Sequence, residues 1–309
     1  MFSGQGSQYR GMGRALLESE PAFRARVEKL CAVAGSGMRE RLFEKDPRIS
    51  ESWDDLTETH PLLYILQTAF GLWWRERGFP VDGVLGYSLG ELVAAAVSGL
   101  IDPEDGVRIA VGQADHIVKA CTPAVMVAVL SDAQTLTSVG GFRGKIPAAV
   151  HFKNNTVWVF QEPAWPPVEF ALKEKRISHQ VLPVCWPFHT PQMESARERI
   201  LRDLAVLDLS RPTLPFYSVG RNAWYSPGIG AAHFQEILED AIDFPATVRN
   251  LEGEGPWNYV DGGPSGTLAN FVRYNLPPLS PSRTKACFTP FSHGVVAREK
   301  MSPGLPRGE

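Results

Sequence analysis

The sequence predicts an α/β protein: a larger domain around a parallel sheet, with a smaller βαββαβ unit inserted in it. Three observations carry the prediction. Val84-Leu85 forms a short buried strand that passes through Gly86 into a small-residue helical stretch over 89–98. Between 124 and 184 the pattern switches to short β runs interleaved with two helical stretches. After Pro191 longer helical and strand periods return. At 309 residues and 44% hydrophobic composition, the chain has enough apolar material to bury a large core.

In chain order, Phe2 leaves almost no room for a first strand before the turn Gly4-Gln5-Gly6, so the natural chain is expected to begin further upstream. Thr59-His60-Pro61 opens a helix with Pro61 at its first position, where a missing N–H costs nothing. Leu62, Leu63, Ile65, Leu66, Phe70 and Trp73 keep helical spacing until Gly78-Phe79-Pro80 ends it. Gly99 stops the helix that follows the strand at Val84. Asp102-Pro103-Glu104-Asp105 starts the next, with a capping aspartate, a proline in the first turn and two acids at the positive dipole end.

The smaller unit reads as a strand over 124–130, a helix over 132–139, two strands around Asn154-Asn155, a helix over 167–175 and a strand over 179–184. That order is ferredoxin-like. The larger domain resumes with a helix over 193–204, strands around 214–218 and 257–261, and a last helix over 265–274. The expected limits are residues 1–123, 124–190 and 191–287, with a tail over 288–309 rich in Pro, Gly and charge.

A net charge of −3 gives no basic footprint for neutralising phosphates, so nucleic acid is not an expected partner. No run approaches the roughly 20 apolar residues of a membrane span, and the start lacks a charged region followed by an apolar one. A cytoplasmic monomer is expected. Cys31, Cys121, Cys185 and Cys287 are too scattered for a zinc site or a disulfide framework, and no metal is expected.

The chemistry centres on Gly86-Tyr87-Ser88-Leu89-Gly90. GxSxG between a buried strand and a helix is the pattern of a nucleophile elbow, in which a tight turn exposes the serine hydroxyl. A serine needs a base within hydrogen-bond reach, and histidine has the suitable pKa. His189 lies where the smaller unit returns to the larger domain; His60 and His116 compete with it, while His151, His179, His233 and His293 read as ordinary strand or surface residues. Attack on a thioester carbonyl also builds an oxyanion that needs two donors. The Leu89 N–H is one; the turn Gly4-Gln5-Gly6-Ser7-Gln8 offers a second, or is a plain tight turn.

These residues resemble the malonyl-CoA:acyl-carrier-protein transacylases and the acyltransferase domains of polyketide synthases. The resemblance rests on Phe2-Ser3-Gly4-Gln5-Gly6-Ser7-Gln8, Thr59-His60-Pro61, Gly86 to Glu91, Pro187-Phe188-His189-Thr190 and Gly263-Pro264-Ser265-Gly266, in the family's order across nearly the whole chain. It implies an α/β-hydrolase-like larger domain with the ferredoxin-like insertion. It also implies a Ser88-His189 dyad, with His189 oriented by a backbone carbonyl near Ile237 and Leu238, and an oxyanion hole lined by Gln5 and the Leu89 N–H. No cofactor is implied beyond the acyl thioester itself, carried on coenzyme A or phosphopantetheine.

The departures bear on the substrate. Malonyl-specific members carry an arginine 25 residues after the nucleophile, paired two-pronged with the free carboxylate; here that position is Gln113. A neutral amide in place of a charged fork leaves a desolvated carboxylate without its cation, at a cost of several kcal/mol. Arg108 and Lys119 do not replace it, since they lie about 500° and about 600° around the helix from position 113. The change resembles the trans-acting acyl hydrolases of modular polyketide synthases, which load an acyl group from a carrier protein onto serine and give it to water. Tyr87 stands where the family has histidine and His60 where it has glutamine. Both, with Phe188 and Trp186, are candidate acyl-pocket residues.

The expected partner is an acyl-carrier protein, commonly acidic. Residues 124–190 hold six Lys/Arg against four Asp/Glu, a weak positive surplus that either steers such a partner or is a solvated face. Four readings stand: a hydrolase or acyltransferase for uncharged acyl chains on carrier protein, an ordinary malonyltransferase, a non-catalytic scaffold, and an esterase whose third member is an acid such as Asp132.

Overall fold

The computed structural model describes residues 1–44 and 53–289. Three helices come first: α1 (Arg14–Ser19), α2 (Pro21–Ala34) and α3 (Met38–Leu42). α2 buries Phe23, Val27, Leu30 and Cys31 along one stripe and packs on α4 (Leu56–Glu76). α4 is buried on nearly all faces and forms the central helix of the larger body. It begins earlier than the sequence predicts because Asp55 caps it, accepting from the Thr57 N–H. Pro61 consequently lies inside the helix rather than at its first position, and costs one intrahelical bond to the Thr57 carbonyl.

The strand-turn-helix follows as read: β1 (Val84–Gly86), then α5 (Leu89–Ser98), closed by Gly99 at φ 83°. Asp102 caps α6 (Pro103–Ala120), accepting from the N–H groups of Glu104 and Asp105. α6 lies against α4, which brings position 113 beside position 60.

The smaller unit comprises β2 (Ala124–Val129), α7 (Ala133–Leu136), β3 (Ala149–Phe152), β4 (Asn155–Gln161), α8 (Trp165–Glu174) and β5 (His179–Val181). Its strands lie in the order β5-β2-β4-β3, every neighbouring pair antiparallel. Val127, Phe142, Trp158, Phe160, Val168 and Leu172 anchor a core of its own. The helix predicted over 132–139 keeps only one turn as α7, with Asp132 spent as its cap through the Thr135 N–H. β5 likewise ends at Val181.

Beyond the smaller unit come α9 (Glu194–Leu204), β6 (Phe216–Ser218), β7 (Ala223–Trp224), α10 (His233–Glu239), β8 (Ile242–Asp243), α11 (Phe244–Glu254), β9 (Asn258–Asp261), α12 (Thr267–Asn275) and β10 (Arg283–Ala286). Met1 and Phe2 pair on both sides as strand residues. The Phe2 N–H donates to the Leu85 carbonyl (2.8 Å) and the Tyr87 N–H to the Phe2 carbonyl (3.0 Å); on the other side Met1 N donates to Val260 (2.7 Å) and the Gly262 N–H to Met1 (2.9 Å). Met1-Phe2 thus joins β1 and β6 to the parallel pair β9-β10. The smaller sheet also gains a strand that the sequence does not signal, because β8 pairs parallel with the edge of β3.

One further correction concerns the tail. Phe288, read as its start, is buried with its ring 4.8 Å from that of Phe70. The rest, including His293, lies outside the described residues after position 289. No helix among the described residues is long and apolar enough to cross a membrane.

A Cβ on Gly90 would meet the Phe2 carbonyl oxygen at 2.0 Å. Gly90→Ala is therefore expected to push the Met1-Phe2 bridge out of the sheet and cost more than about 3 kcal/mol of stability. Urea unfolding midpoints of the two proteins measure this, and a midpoint within error of the parent's contradicts it.

Candidate active site

Ser88 sits in the turn between β1 and α5 with φ 55° and ψ −126°, a left-handed backbone unusual for a residue with a side chain. The turn is this sharp because its neighbours lack Cβ atoms. A Cβ on Gly86 would lie 2.3 Å from Glu91 Cα, and one on Gly4 would lie 2.7 Å from Ser88 Cβ. The Gly4-Gln5 backbone therefore runs directly past the serine.

The structure brings His189 to this hydroxyl: Nε2 lies 2.9 Å from Ser88 Oγ. The ring's other nitrogen, Nδ1, is 3.1 Å from the Asp240 carbonyl oxygen. A carbonyl only accepts, so Nδ1 carries the proton and the bare Nε2 accepts from the serine hydroxyl. His189 also has a left-handed backbone, φ 61°, and its N–H donates to the Leu238 carbonyl at 2.7 Å. The expected orienting region holds His189 and extends to Asp240: Leu238 takes the main-chain N–H, and the Asp240 carbonyl faces the imidazole. Burial pushes the His189 pKa down to about 4, against hydrogen bonds to the Asp240 and Ile237 carbonyls that pull it up. The imidazole is thus neutral and able to take a proton at pH 7.

The backbone N–H groups of Gln5 and Leu89 have no acceptor among the described residues; Leu89 directly follows Ser88, and Gln5 follows Gly4, which packs against it. They are free to receive a developing oxyanion. The Gln5 side chain is not: its Nε2 lies 3.1 Å from His60 Nδ1. Only the backbone of Gln5 is available for the role that the resemblance gives it.

Gln113 is buried, with Nε2 donating to the Phe234 carbonyl at 3.0 Å and Oε1 facing His60 Nε2 at 3.2 Å. His60, the runner-up base, has both nitrogens engaged by amides and none by Ser88. Its ring stacks parallel to Phe188, with centroids 6.2 Å apart. Trp186 is half-buried against the main core and has no hydrogen bond or ring contact to Ser88, His60 or Gln113 among those described. Arg108 is exposed and paired with Asp105 and Glu104, Lys119 with Asp115. His116 pairs with Asp203, between α6 and α9. Asp132, capping α7, bonds Thr135 rather than His189.

Two clusters escaped the sequence reading. Tyr87 joins a separate group: its hydroxyl donates to His151 Nε2 at 2.9 Å, and His151 Nδ1 donates to Asn155 Oδ1 at 3.1 Å. His151, read as ordinary, is buried and stacked on Phe271 at 3.9 Å. The second is the buried pair Glu91–His233, 2.7 Å apart, with the other Glu91 oxygen accepting from the Gly220 N–H at 2.7 Å. Glu91 closes the serine motif, and its partner fixes α10, after which Asp240 follows. A carboxylate on the buried face of a small-residue helix was the available signal, because such a group needs a donor.

This assembly matches known proteins closely. The family described as "Acyl transferase domain" matches residues 1–273. The chain is 32% identical over 297 residues to the polyketide biosynthesis acyltransferase homolog BaeD of Bacillus velezensis, covering 94% of this chain and 91% of that protein. It is 31% identical to the homolog PksD of Bacillus subtilis, with the same coverage of both. Among solved structures, the acyltransferase domain from the second module of the salinomycin polyketide synthase superposes with TM-score 0.80 at 28% identity, over 94% of this chain and 68% of that one. A loading acyltransferase from the avermectin synthase shares the fold with TM-score 0.83 at 24% identity, over 93% of each chain. With the family model matching residues 1–273 and relatives above 30% identity covering nearly the whole chain, the chain belongs to the acyl transferase domain family, as an acyltransferase of the polyketide biosynthesis type.

Proposed function

We propose that this chain takes uncharged acyl groups from the phosphopantetheine thioester of an acyl-carrier protein onto Ser88 and releases them to water, or passes them to another carrier thiol. Gln113 is the observation that carries the reading. Its amide, at the position where the resemblance places the carboxylate-binding arginine, is committed to His60 and the Phe234 carbonyl, and among the described residues no hydrogen bond brings a cation to it. A malonyl carboxylate buried there would lose its water without gaining a charge partner.

The steps follow from the hydrogen-bond polarity. As Ser88 Oγ bonds to the thioester carbonyl carbon, its proton passes to His189 Nε2, and the oxyanion lies between the Gln5 and Leu89 N–H groups. Collapse breaks the C–S bond, and Nε2–H returns the proton to the leaving sulfur. In the second half, water or a thiol gives its proton to Nε2 while attacking the Ser88 ester, and Oγ leaves with that proton. The Asp240 carbonyl supports each imidazolium, so no side-chain acid is required. The thioester supplies the activated acyl group, and the steps call for no cofactor or metal. The weak positive surplus on the smaller unit suits an acidic carrier protein.

The test is intact-protein mass spectrometry after exposure to acetyl-, butyryl- and malonyl-loaded carrier proteins. Acetyl and butyryl adducts that form on Ser88 and decay to free acid are expected. Rapid malonyl loading with acetyl untouched would establish a malonyltransferase instead.

A further inference from the structure

We propose that His60 is a second specificity-determining residue, which locks Gln113 in the orientation that closes the site to a carboxylate-bearing acyl group. The inference rests on the uncharged-acyl reading above, and it concerns why position 113 alone does not set the choice.

The lock is a line of hydrogen bonds whose direction is fixed from one end. The Phe234 carbonyl only accepts, so the Gln113 atom 3.0 Å from it is the donating Nε2. That turns Oε1 toward His60 Nε2, 3.2 Å away, which must therefore carry a hydrogen. His60 Nδ1 is then bare, and accepts from Gln5 Nε2 at 3.1 Å. Gln5 Oε1 is left facing the Thr59 hydroxyl at 3.4 Å. Each group dictates the next, and the far end leads back to Gln5, whose backbone runs past Ser88.

The two central members of the line are held in place. His60 is 1% exposed and Gln113 3%, and the His60 ring lies parallel to Phe188 with an interplanar angle of 3°. Burial pushes the His60 pKa down to about 4, so the ring adds no positive charge that would welcome an anion. The elements enforce the same contacts, because α4 and α6 pack side by side and carry residues 60 and 113 on their facing surfaces.

The consequence for substrate choice is a coupling. A guanidinium has only donors, so an arginine introduced at position 113 would confront the His60 Nε2–H donor to donor. Either His60 switches tautomer, which forces Gln5 to turn its amide over, or the arginine swings away from the carboxylate position. Glutamine at position 60 removes the conflict, since its carbonyl oxygen accepts from the guanidinium. Carboxylate binding should then return only when both positions change, which is the signature of residues sharing one network.

The experiment is single-turnover loading of Ser88 from malonyl- and acetyl-carrier protein, read by intact mass. It compares the parent chain with Gln113→Arg, His60→Gln and the double variant. Malonyl loading should rise less than tenfold in each single variant and at least a hundredfold in the double. Gln113→Arg alone matching the double variant, or a folded double variant gaining nothing, overturns the lock. Rapid malonyl loading by the parent chain instead defeats the uncharged-acyl reading. The lock is then decided by imidazole nitrogen NMR of the parent chain, as it also is should the double variant not fold. A neutral Nε2–H tautomer of His60 at pH 7 supports it, and the Nδ1–H tautomer or a charged ring overturns it.

Discussion

Replacing His189 with alanine is expected to slow acyl-enzyme formation on Ser88 by roughly 10⁴-fold, the upper end of what a positioned general base contributes. The expectation follows from the one-sided chemistry around the hydroxyl. Ser88 Oγ bonds His189 Nε2 at 2.9 Å, and the carboxyl of Asp132 is spent capping α7. The backbone N–H groups of Gln5 and Leu89 survive the substitution, so a residual rate from oxyanion stabilisation should remain measurable. Ser88→Ala, by contrast, should leave no adduct at all. Quenched-flow mass spectrometry with acetyl-carrier protein measures both, alongside melting curves to show that each variant folds. A His189→Ala protein that loads within tenfold of the parent rate would remove His189 from the chemistry.

The second large effect is a loss of stability in acid. His60, His151 and His189 are buried, and for each burial pushes the pKa from 6.5 down to about 4. Above pH 6.5 these imidazoles are neutral in both the folded and unfolded chain and contribute nothing to the pH dependence. As the pH falls toward 4, the unfolded chain binds protons that the folded one refuses, so stability drops, and the loss levels off only below the folded pKa. One such histidine is worth about 3 kcal/mol over that window, and three together on the order of 10 kcal/mol, comparable to the whole stability of a typical domain. The carboxyl of Asp261, which burial pushes upward, works in the opposite sense at a single position. Urea unfolding at pH 7, 6 and 5 should show midpoints falling steeply, with up to three protons taken up on unfolding. A flat series would mean that these rings are solvated. Over the same range the rate of Ser88 loading should hold level while the protein stays folded, because the base remains unprotonated until about pH 4.

What the sequence made legible was local. The strand-elbow-helix around Ser88, the caps at Asp102 and Gly99, and the βαββαβ order each depend on residues within a few positions of one another, and they appear where expected. The glycines at 4, 86 and 90 could be placed for the same reason, since a tight turn names its own small residues. The partners that complete the site come from far along the chain and leave no such mark. Asp240 serves through its carbonyl, a group that every residue carries, so no side chain announces it. The two-residue elements, Met1-Phe2 and β8, are too short to show a period, and only their neighbours make them strands. His151 and His233 were passed over because a histidine in a strand or helix reads alike whether it faces water or a buried Tyr87 or Glu91.

The pairing of β8 with β3 has a mechanical consequence. The Ile242 N–H donates to Ala148 at 3.0 Å, two residues beyond the Asp240 carbonyl that holds the His189 ring. His189 itself follows the return of the chain from β5. The carbonyl that holds the imidazole is therefore tied both to the smaller sheet, through β8, and to the larger body, through the Glu91–His233 pair, while Ser88 is fixed to the larger one through β1. The 2.9 Å hydrogen bond between Ser88 and His189 therefore depends on both sheets holding that one carbonyl in place.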